Sequence, residues 1–157
     1  MSAVVLPREG ALQGDVHRFA VRVYYEDTDA AGIVYYANYL KFIERARTEM
    51  MRLYGVGHEK ARQSGGTGFI VRRCAIEYIQ PARLDDELVV ETRLEELGGA
   101  TIHLSQDVLR DGTLLVRATV VVVSVGAQGR PVRLPAELRS SLSSFNAKPR
   151  MVTAHAR

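Results

Sequence analysis

Two carboxylates, Asp27 and Asp29, stand just ahead of Gly32 in the run EDTDAAGIVYYANYLKFIERARTEMM, Glu26 to Met51. A loop carboxylate can take a proton from water or attack an acyl carbon directly. Such chemistry needs a partner that stabilises the oxyanion. A helix start offers one, because its first backbone N–H groups have no intrahelical acceptor. The run provides that helix. From Asn38 onward, apolar residues recur at Tyr39, Phe42, Ile43, Ala46, Met50 and Leu53. Intervals of three and four place them on one face of an amphipathic helix. The segment Tyr36 to Asn38 would then polarise a substrate carbonyl, and Gly32 would let backbone approach it closely. A plainer account competes: a carboxylate at a helix mouth caps free N–H groups and meets the positive end of the dipole. Spacing alone favours the cap.

Other residue types add little chemistry. The four histidines, His17, His58, His103 and His155, show no metal-ligand spacing, and Cys74 is the single cysteine. No metal site is expected from them. The chain has no GxSxG elbow. The stretch GGTGF, Gly65 to Phe69, resembles a phosphate loop but lacks the strand before it and the helix after it. Glu44 lies within the long helix. With Arg47 three residues on, and Arg45 four before Glu49, intrahelical ion pairs are the expected roles of these charges.

The elements that must position the loop follow from the patterning. His17 to Tyr25 alternates and reads as a strand, with Phe19, Val21, Val23 and Tyr25 on one side. After the helix near Asn38 to Tyr54, a short second helix is expected over Val56 to Gln63. Strands follow at Gly68–Ile79, Glu87–Leu97, Thr101–Leu109 and Leu114–Val125. Pro81 keeps Gln80 to Ala82 out of a central strand. Gly98-Gly99 and Asp111-Gly112 are hairpin signals, the latter suited to a type I′ turn. Ile102, Leu104, Gln106 and Val108 share one side of their strand. Leu114–Val125, rich in β-branched residues, reads as central. The order implies an α+β fold, an antiparallel five-stranded sheet wrapped around one long helix.

At 157 residues the chain is most simply one domain. Residues 1–16 read as a flexible leader, 17–134 as the domain, and 135–157 as a C-terminal tail with a short helix near Pro135 to Leu142. A net charge of +3, spread along the chain, does not make nucleic acid the default partner. No apolar run is long enough to span a membrane, and no secretory signal is evident. The lone cysteine fits a reducing compartment.

The stretch YEDTDAAGIVYYANYLKFIERARTEMMR, Tyr25 to Arg52, resembles hot-dog-fold acyl-CoA thioesterases of the 4-hydroxybenzoyl-CoA thioesterase family. Within that family it is most similar to the bacterial branch associated with the Tol–Pal envelope system. The pattern D-x-D-x-x-G-[IV]-V-[YF] running directly into an amphipathic helix carries the likeness. The stretch IEYIQPARLDDELVVET, Ile76 to Thr92, adds to it. Together these cover roughly Phe19 to Val125.

The resemblance implies a thioesterase that hydrolyses acyl-CoA, or acyl carrier, thioesters to free acid and thiol. It makes Asp29 the catalytic carboxylate and the Tyr36 N–H the group that polarises the thioester. Gly32, Ile33, Val34, Tyr35 and Asn38 would line the substrate. Glu44 is the second choice of catalyst, by analogy with a subgroup that uses a helix Glu. The branch commonly carries His directly after the motif Tyr. This chain has Tyr36 there, which leaves Asp29 without an evident side-chain partner. No cofactor and no metal are implied. The implied partners are an acyl-CoA or an acyl carrier protein, and further copies of the chain as a homodimer or homotetramer. The implied location is the cytoplasm, with no nucleic acid and no membrane insertion. The alternative is a catalytically weak hot-dog module that binds acyl carriers or envelope-assembly proteins. A hot-dog dehydratase would need a loop His, and none is present.

Overall fold

The computed structural model describes residues 8–56 and 68–146. Six strands form one antiparallel sheet: β1 (Ala11–Gln13), β2 (Val16–Arg22), β3 (Gly68–Tyr78), β4 (Glu87–Leu97), β5 (Thr101–Arg110) and β6 (Thr113–Val125). Their spatial order is β1-β2-β4-β5-β6-β3. Among the described residues two α-helices accompany the sheet, α1 (Asn38–Leu53) and α2 (Ala136–Asn146).

The hairpin strands follow their sequence patterns. Asp111 and Gly112 have φ of 50° and 78°, and Arg110 pairs with Thr113 across them. Positive φ at both central residues is what a type I′ turn requires, and Gly meets it without strain. The β5 alternation holds: Ile102, Leu104, Gln106 and Val108 are all buried. On β4, Leu88, Val90, Thr92 and Leu94 share that face.

The chain leaves β2 at one end of the sheet, forms the loop and α1, and re-enters at β3 on the far edge. Helix α1 lays Tyr39, Phe42, Ile43, Ala46 and Met50 against the sheet residues Val21, Leu88, Val90, Leu94 and Leu104 in one core. Phe42, Ala46 and Met50 have no exposed surface. Full burial of such a side chain contributes about 1.5–3 kcal/mol. Met51 is buried as well, while Leu53 stays half-buried, so the apolar stripe drifts at the helix end.

Two expectations change. Ala11–Gln13, assigned to a leader, pairs with β2 as an edge strand, because Gly14 at φ 65° makes a tight reversal before Val16. The sheet therefore has six strands, not five. The short helix expected near Pro135 to Leu142 is α2, whose Leu138, Leu142 and Phe145 join the core, and the Phe145 ring lies 5.9 Å from that of Tyr54. Strand β3 alternates in sequence yet is exposed along almost its whole length, with a bulge between Val71 and Arg73. Among the described residues it pairs only with β6, which leaves its outer edge open. The short helix expected over Val56 to Gln63 falls largely on residues outside those described.

Candidate active site

The loop between β2 and α1 is built on Asp27, not Asp29. A single 3₁₀ turn, Tyr25–Asp27, buries the Asp27 side chain. Its Oδ2 accepts the Tyr24 N–H at 2.8 Å. Its carbonyl accepts two donors from the returning limb, the Tyr35 N–H and Asn38 Nδ2, each at 2.9 Å. The first carboxylate of the motif is thus a structural anchor.

Asp29 sits on the exposed tip. Its Oδ1 accepts the Ala31 N–H at 2.8 Å, the local turn that short carboxylate side chains favour. Its N–H donates to the Ile33 carbonyl at 2.9 Å, and its carbonyl accepts the Gly32 N–H at 3.0 Å. Gly32 closes this turn at φ 76°, a conformation that side chains with Cβ adopt at a cost. The other oxygen, Oδ2, makes no hydrogen bond among the described residues.

Tyr36 lies on the opposite limb. Thr28 and Val34 bridge the two limbs in antiparallel register, so the residue after Thr28 and the helix entry after Val34 are held together. The Asn38 N–H donates to the Tyr35 carbonyl at 2.8 Å, and the Leu40 N–H to the Ala37 carbonyl at 3.2 Å. The Tyr36 N–H has no acceptor among the described residues. It is a free donor at the positive end of α1. The Tyr36 carbonyl accepts the Tyr78 hydroxyl at 3.1 Å.

The remaining substrate-lining candidates divide. Gly32 and Tyr35 are exposed beside Asp29, and Ile33 is half-buried. Val34 is in the core, and its N–H donates to the Ala82 carbonyl at 2.9 Å. The Asn38 amide is turned inward to Asp27. The side chains of Val34 and Asn38 therefore anchor the loop, whereas Gly32 and the Tyr35 side chain are exposed.

Glu44 is exposed two turns into α1 and lines a different cleft of about 470 Å³, with Arg47, Met51, Phe69 and Ile70. The expected helix ion pairs are rearranged. Arg47 turns inward and donates to Gln106, while Glu49 pairs with Arg52 at 3.7 Å. Arg72, Arg73 and Arg83 are exposed, and Arg83 bridges Ile33 at the loop. Cys74 is exposed on β3. Among the described residues no cluster of His, Cys, Asp and Glu could hold a metal ion.

Three contributors escaped the sequence reading: Tyr39, Tyr78 and Ala82. The Tyr39 hydroxyl accepts the Ala82 N–H at 2.9 Å. The Tyr36, Tyr78 and Tyr39 rings stack edge-on or tilted in series, with centroids 5.9 and 5.7 Å apart. Burial raises the Tyr78 hydroxyl above its ordinary pKa, and the neighbouring Tyr36 adds to this, so the group stays a neutral donor. Tyr78 and Ala82 lie 42 and 43 residues from their partners Tyr36 and Tyr39, and no local pattern announces them.

A backbone N–H free among the described residues can hold a carbonyl oxygen, and the Thr28–Val34 bridge ties its limb to the limb that carries the unengaged Asp29 oxygen. That pairing suits attack on an activated acyl group. Residues 23–142 match the profile of the thioesterase-like superfamily. A Haemophilus influenzae protein named acyl-CoA thioesterase YbgC is 44% identical over 124 residues, covering 78% of this chain and 91% of that one. The crystal structure of a probable thioesterase from Bartonella henselae superposes with a TM-score of 0.72 at 36% identity, over 76% of this chain and 99% of that one. A Thermus thermophilus thioesterase crystallised with coenzyme A and Zn gives a TM-score of 0.72 at 27% identity, over 88% and 99%.

Proposed function

The chain belongs to the thioesterase-like superfamily, with the hot-dog fold, and we propose how it carries out the hydrolysis of acyl-CoA thioesters. The observation that supports the mechanism is the Thr28–Val34 bridge, which joins the limb of Asp29, with one carboxylate oxygen unengaged, to the limb of Tyr36, whose N–H is free among the described residues. The thioester carbonyl oxygen rests on the Tyr36 N–H. With Asp29 as base, water loses a proton to the carboxylate and its oxygen bonds to the acyl carbon. The resulting oxyanion is held by the N–H, whose removal typically costs ~10²–10³ in turnover. Collapse breaks the C–S bond, and the proton on Asp29 passes to the leaving thiolate. With Asp29 as nucleophile, its oxygen bonds to the acyl carbon as the C–S bond breaks, and the thiolate leaves and takes a proton from solvent. Water then cleaves the acyl-aspartyl anhydride to free acid and Asp29, with the same oxyanion donor. Gly32 keeps the tip bare, and Ile33 and Tyr35 flank the acyl group.

The exposed arginines Arg72, Arg73 and Arg83 are suited to the phosphates of coenzyme A. An acyl carrier protein would present the same thioester on the same arm.

The open edge of β3, with Ile70, Val71 and Tyr78 exposed, supports assembly as a homodimer through edge pairing, and of two dimers as a homotetramer. The Tyr25–Arg52 motif supports placement in the Tol–Pal-associated branch of the 4-hydroxybenzoyl-CoA thioesterase family. Cys74 as the sole cysteine supports a cytoplasmic location. No described helix is long and apolar enough to cross a membrane.

A screen of purified protein against short, long and aromatic acyl-CoAs, with free thiol as readout, tests the reading. Thiol release on at least one class is expected. No release on any class at micromolar enzyme would contradict it.

A further inference from the structure

The turn from Pro81 to Asp86 seats both halves of the catalytic pair. Ile33, whose carbonyl takes the Asp29 N–H, bridges Arg83. Val34, two residues before Tyr36, donates its N–H to Ala82. Ala82 is fully buried and also donates its own N–H to the Tyr39 hydroxyl on the first turn of α1. A shift of this turn would move the carboxylate through one contact and the oxyanion donor through another.

Something must hold the turn itself. Asp86 Oδ2 accepts the Arg83 N–H at 2.8 Å and Arg110 Nη1 at 2.6 Å. Arg110 Nη1 also reaches the Pro81 carbonyl at 3.3 Å. Arg110 ends β5 and so comes from the rigid sheet rather than from the loop. Both side chains are partly buried, at 30% and 22% exposure, where a charge pair is screened less than at the surface. Burial raises the Asp86 carboxyl, but the Arg83 N–H and the Arg110 guanidinium outweigh it and hold the group below its ordinary value.

We propose that Arg110 and Asp86 are positioning residues for hydrolysis: their ion pair locks the Pro81–Asp86 turn to β5, and the turn sets Asp29 and the Tyr36 N–H against one another. The proposal rests on the roles given above to Asp29 and Tyr36. Neither member of the pair touches substrate in this account. Their effect falls on the geometry of attack, where a misplacement of about 1 Å can cost ~10²-fold.

The test uses the full chain carrying Arg110→Met, Arg110→Lys or Asp86→Asn, with the acyl-CoA that the wild type cleaves best. For Arg110→Met and Asp86→Asn, kcat should fall ~10-fold or more with KM within about 3-fold, the signature of an interaction felt mainly in the transition state. Arg110→Lys should recover part of that loss. Arg117→Met, which breaks the exposed Arg117–Asp107 pair elsewhere on β5 and β6, should leave kcat unchanged. Hydrogen exchange at the Val34 N–H should quicken in Asp86→Asn. If Arg110→Met does not fold, Asp86→Asn and Tyr39→Phe, which removes only the hydroxyl that Ala82 contacts, carry the same expectation. Unchanged kcat in Asp86→Asn, alongside a lowered melting temperature, would overturn the proposal and leave the pair a purely structural one. If the wild type cleaves no acyl-CoA, the functional reading fails on its own. The clamp is then judged by exchange alone, and unchanged Val34 exchange in Asp86→Asn refutes it.

Discussion

Arg47 on α1 donates Nη1 to the side-chain oxygen of Gln106 on β5 at 2.8 Å, beneath the helix. The Gln106 amide nitrogen in turn donates to the Ile43 carbonyl at 2.8 Å and to Thr92 Oγ1 at 2.9 Å. Gln106 and Thr92 are fully buried, so this is a satisfied polar seam across the core face. Burial lowers the Arg47 guanidinium from its ordinary pKa, with nearby Glu44 acting against the shift. Gln106→Leu would leave that charge partly buried without its acceptor and should destabilise by about 2–4 kcal/mol. Adding Arg47→Met should recover part of the loss, because an apolar pair leaves no buried charge unanswered. Denaturant unfolding of the two variants checks both signs.

Gly32 is required for its backbone, not for space. A Cβ there would meet nothing within 4 Å, yet φ is 76°. Gly32→Ala should cost about 1–2 kcal/mol and lower hydrolysis, since Gly32 closes the turn on Asp29. Gly32→Asn should be milder, because Asn visits this region more readily. Melting and turnover measured together test the ranking.

His17 gives the fold an acid limit. It is fully buried on β2, and its Nε2–H donates to the Glu9 carbonyl at 2.8 Å, which leaves Nδ1 bare and unpartnered among the described residues. Burial lowers its pKa from 6.5, against smaller upward pulls from the Glu9 carbonyl and from Glu49. In this range the unfolded chain binds the proton more readily, so stability is complete above 6.5 and declines as pH falls from there through the folded value. Asp86 acts in a lower window: its contribution is present above 3.8 and is lost only as pH falls through its depressed folded value. His17→Gln should flatten the loss of melting temperature between neutral pH and the carboxylate range. An unchanged slope would exclude His17 as its source.

Tyr54 presents the opposite case to Gln106. Its hydroxyl is buried without a partner among the described residues, and burial pushes its pKa up to about 12. Tyr54→Phe keeps the ring against Phe145 and removes an unsatisfied group, so stability should hold or rise by about 1 kcal/mol. A loss of more than about that amount in denaturant unfolding would show that the hydroxyl is bonded.

What the sequence displayed plainly was local periodicity tied to burial. Helix α1 and strand β5 show it best, and even Gln106 was legible as a core-face residue by its place between Leu104 and Val108. The Asp111-Gly112 turn was legible because its φ angles restrict residue choice. Strand β3 was legible as a strand but its exposure was not, since an edge strand with exposed Ile70 and Val71 carries β-branched residues as a half-buried strand does. The inward turn of Arg47 was hidden, because one long side chain can serve a helix neighbour or a core acceptor from the same position. At the site, the loop motif itself was readable. The division of labour between a buried Asp27 and an exposed Asp29, and the inward turn of Asn38, lie in bonds within the loop that spacing does not reveal. The seating of Val34 and Tyr36 depended on Ala82 and Tyr78, which come from far along the chain.

The central claim rests on Asp29, and one substitution separates its two readings. Asn can accept the Ala31 N–H through Oδ1 as Asp29 does, so Asp29→Asn preserves the turn while removing the basic carboxylate. As a cap, Asn ranks with Asp and would serve equally well. Turnover of the best acyl-CoA should therefore fall by ~10²-fold or more, with KM and melting temperature nearly unchanged on the same preparation. Hydrolysis by Asp29→Asn at close to the wild-type rate would contradict the catalytic role and move attention to Glu44.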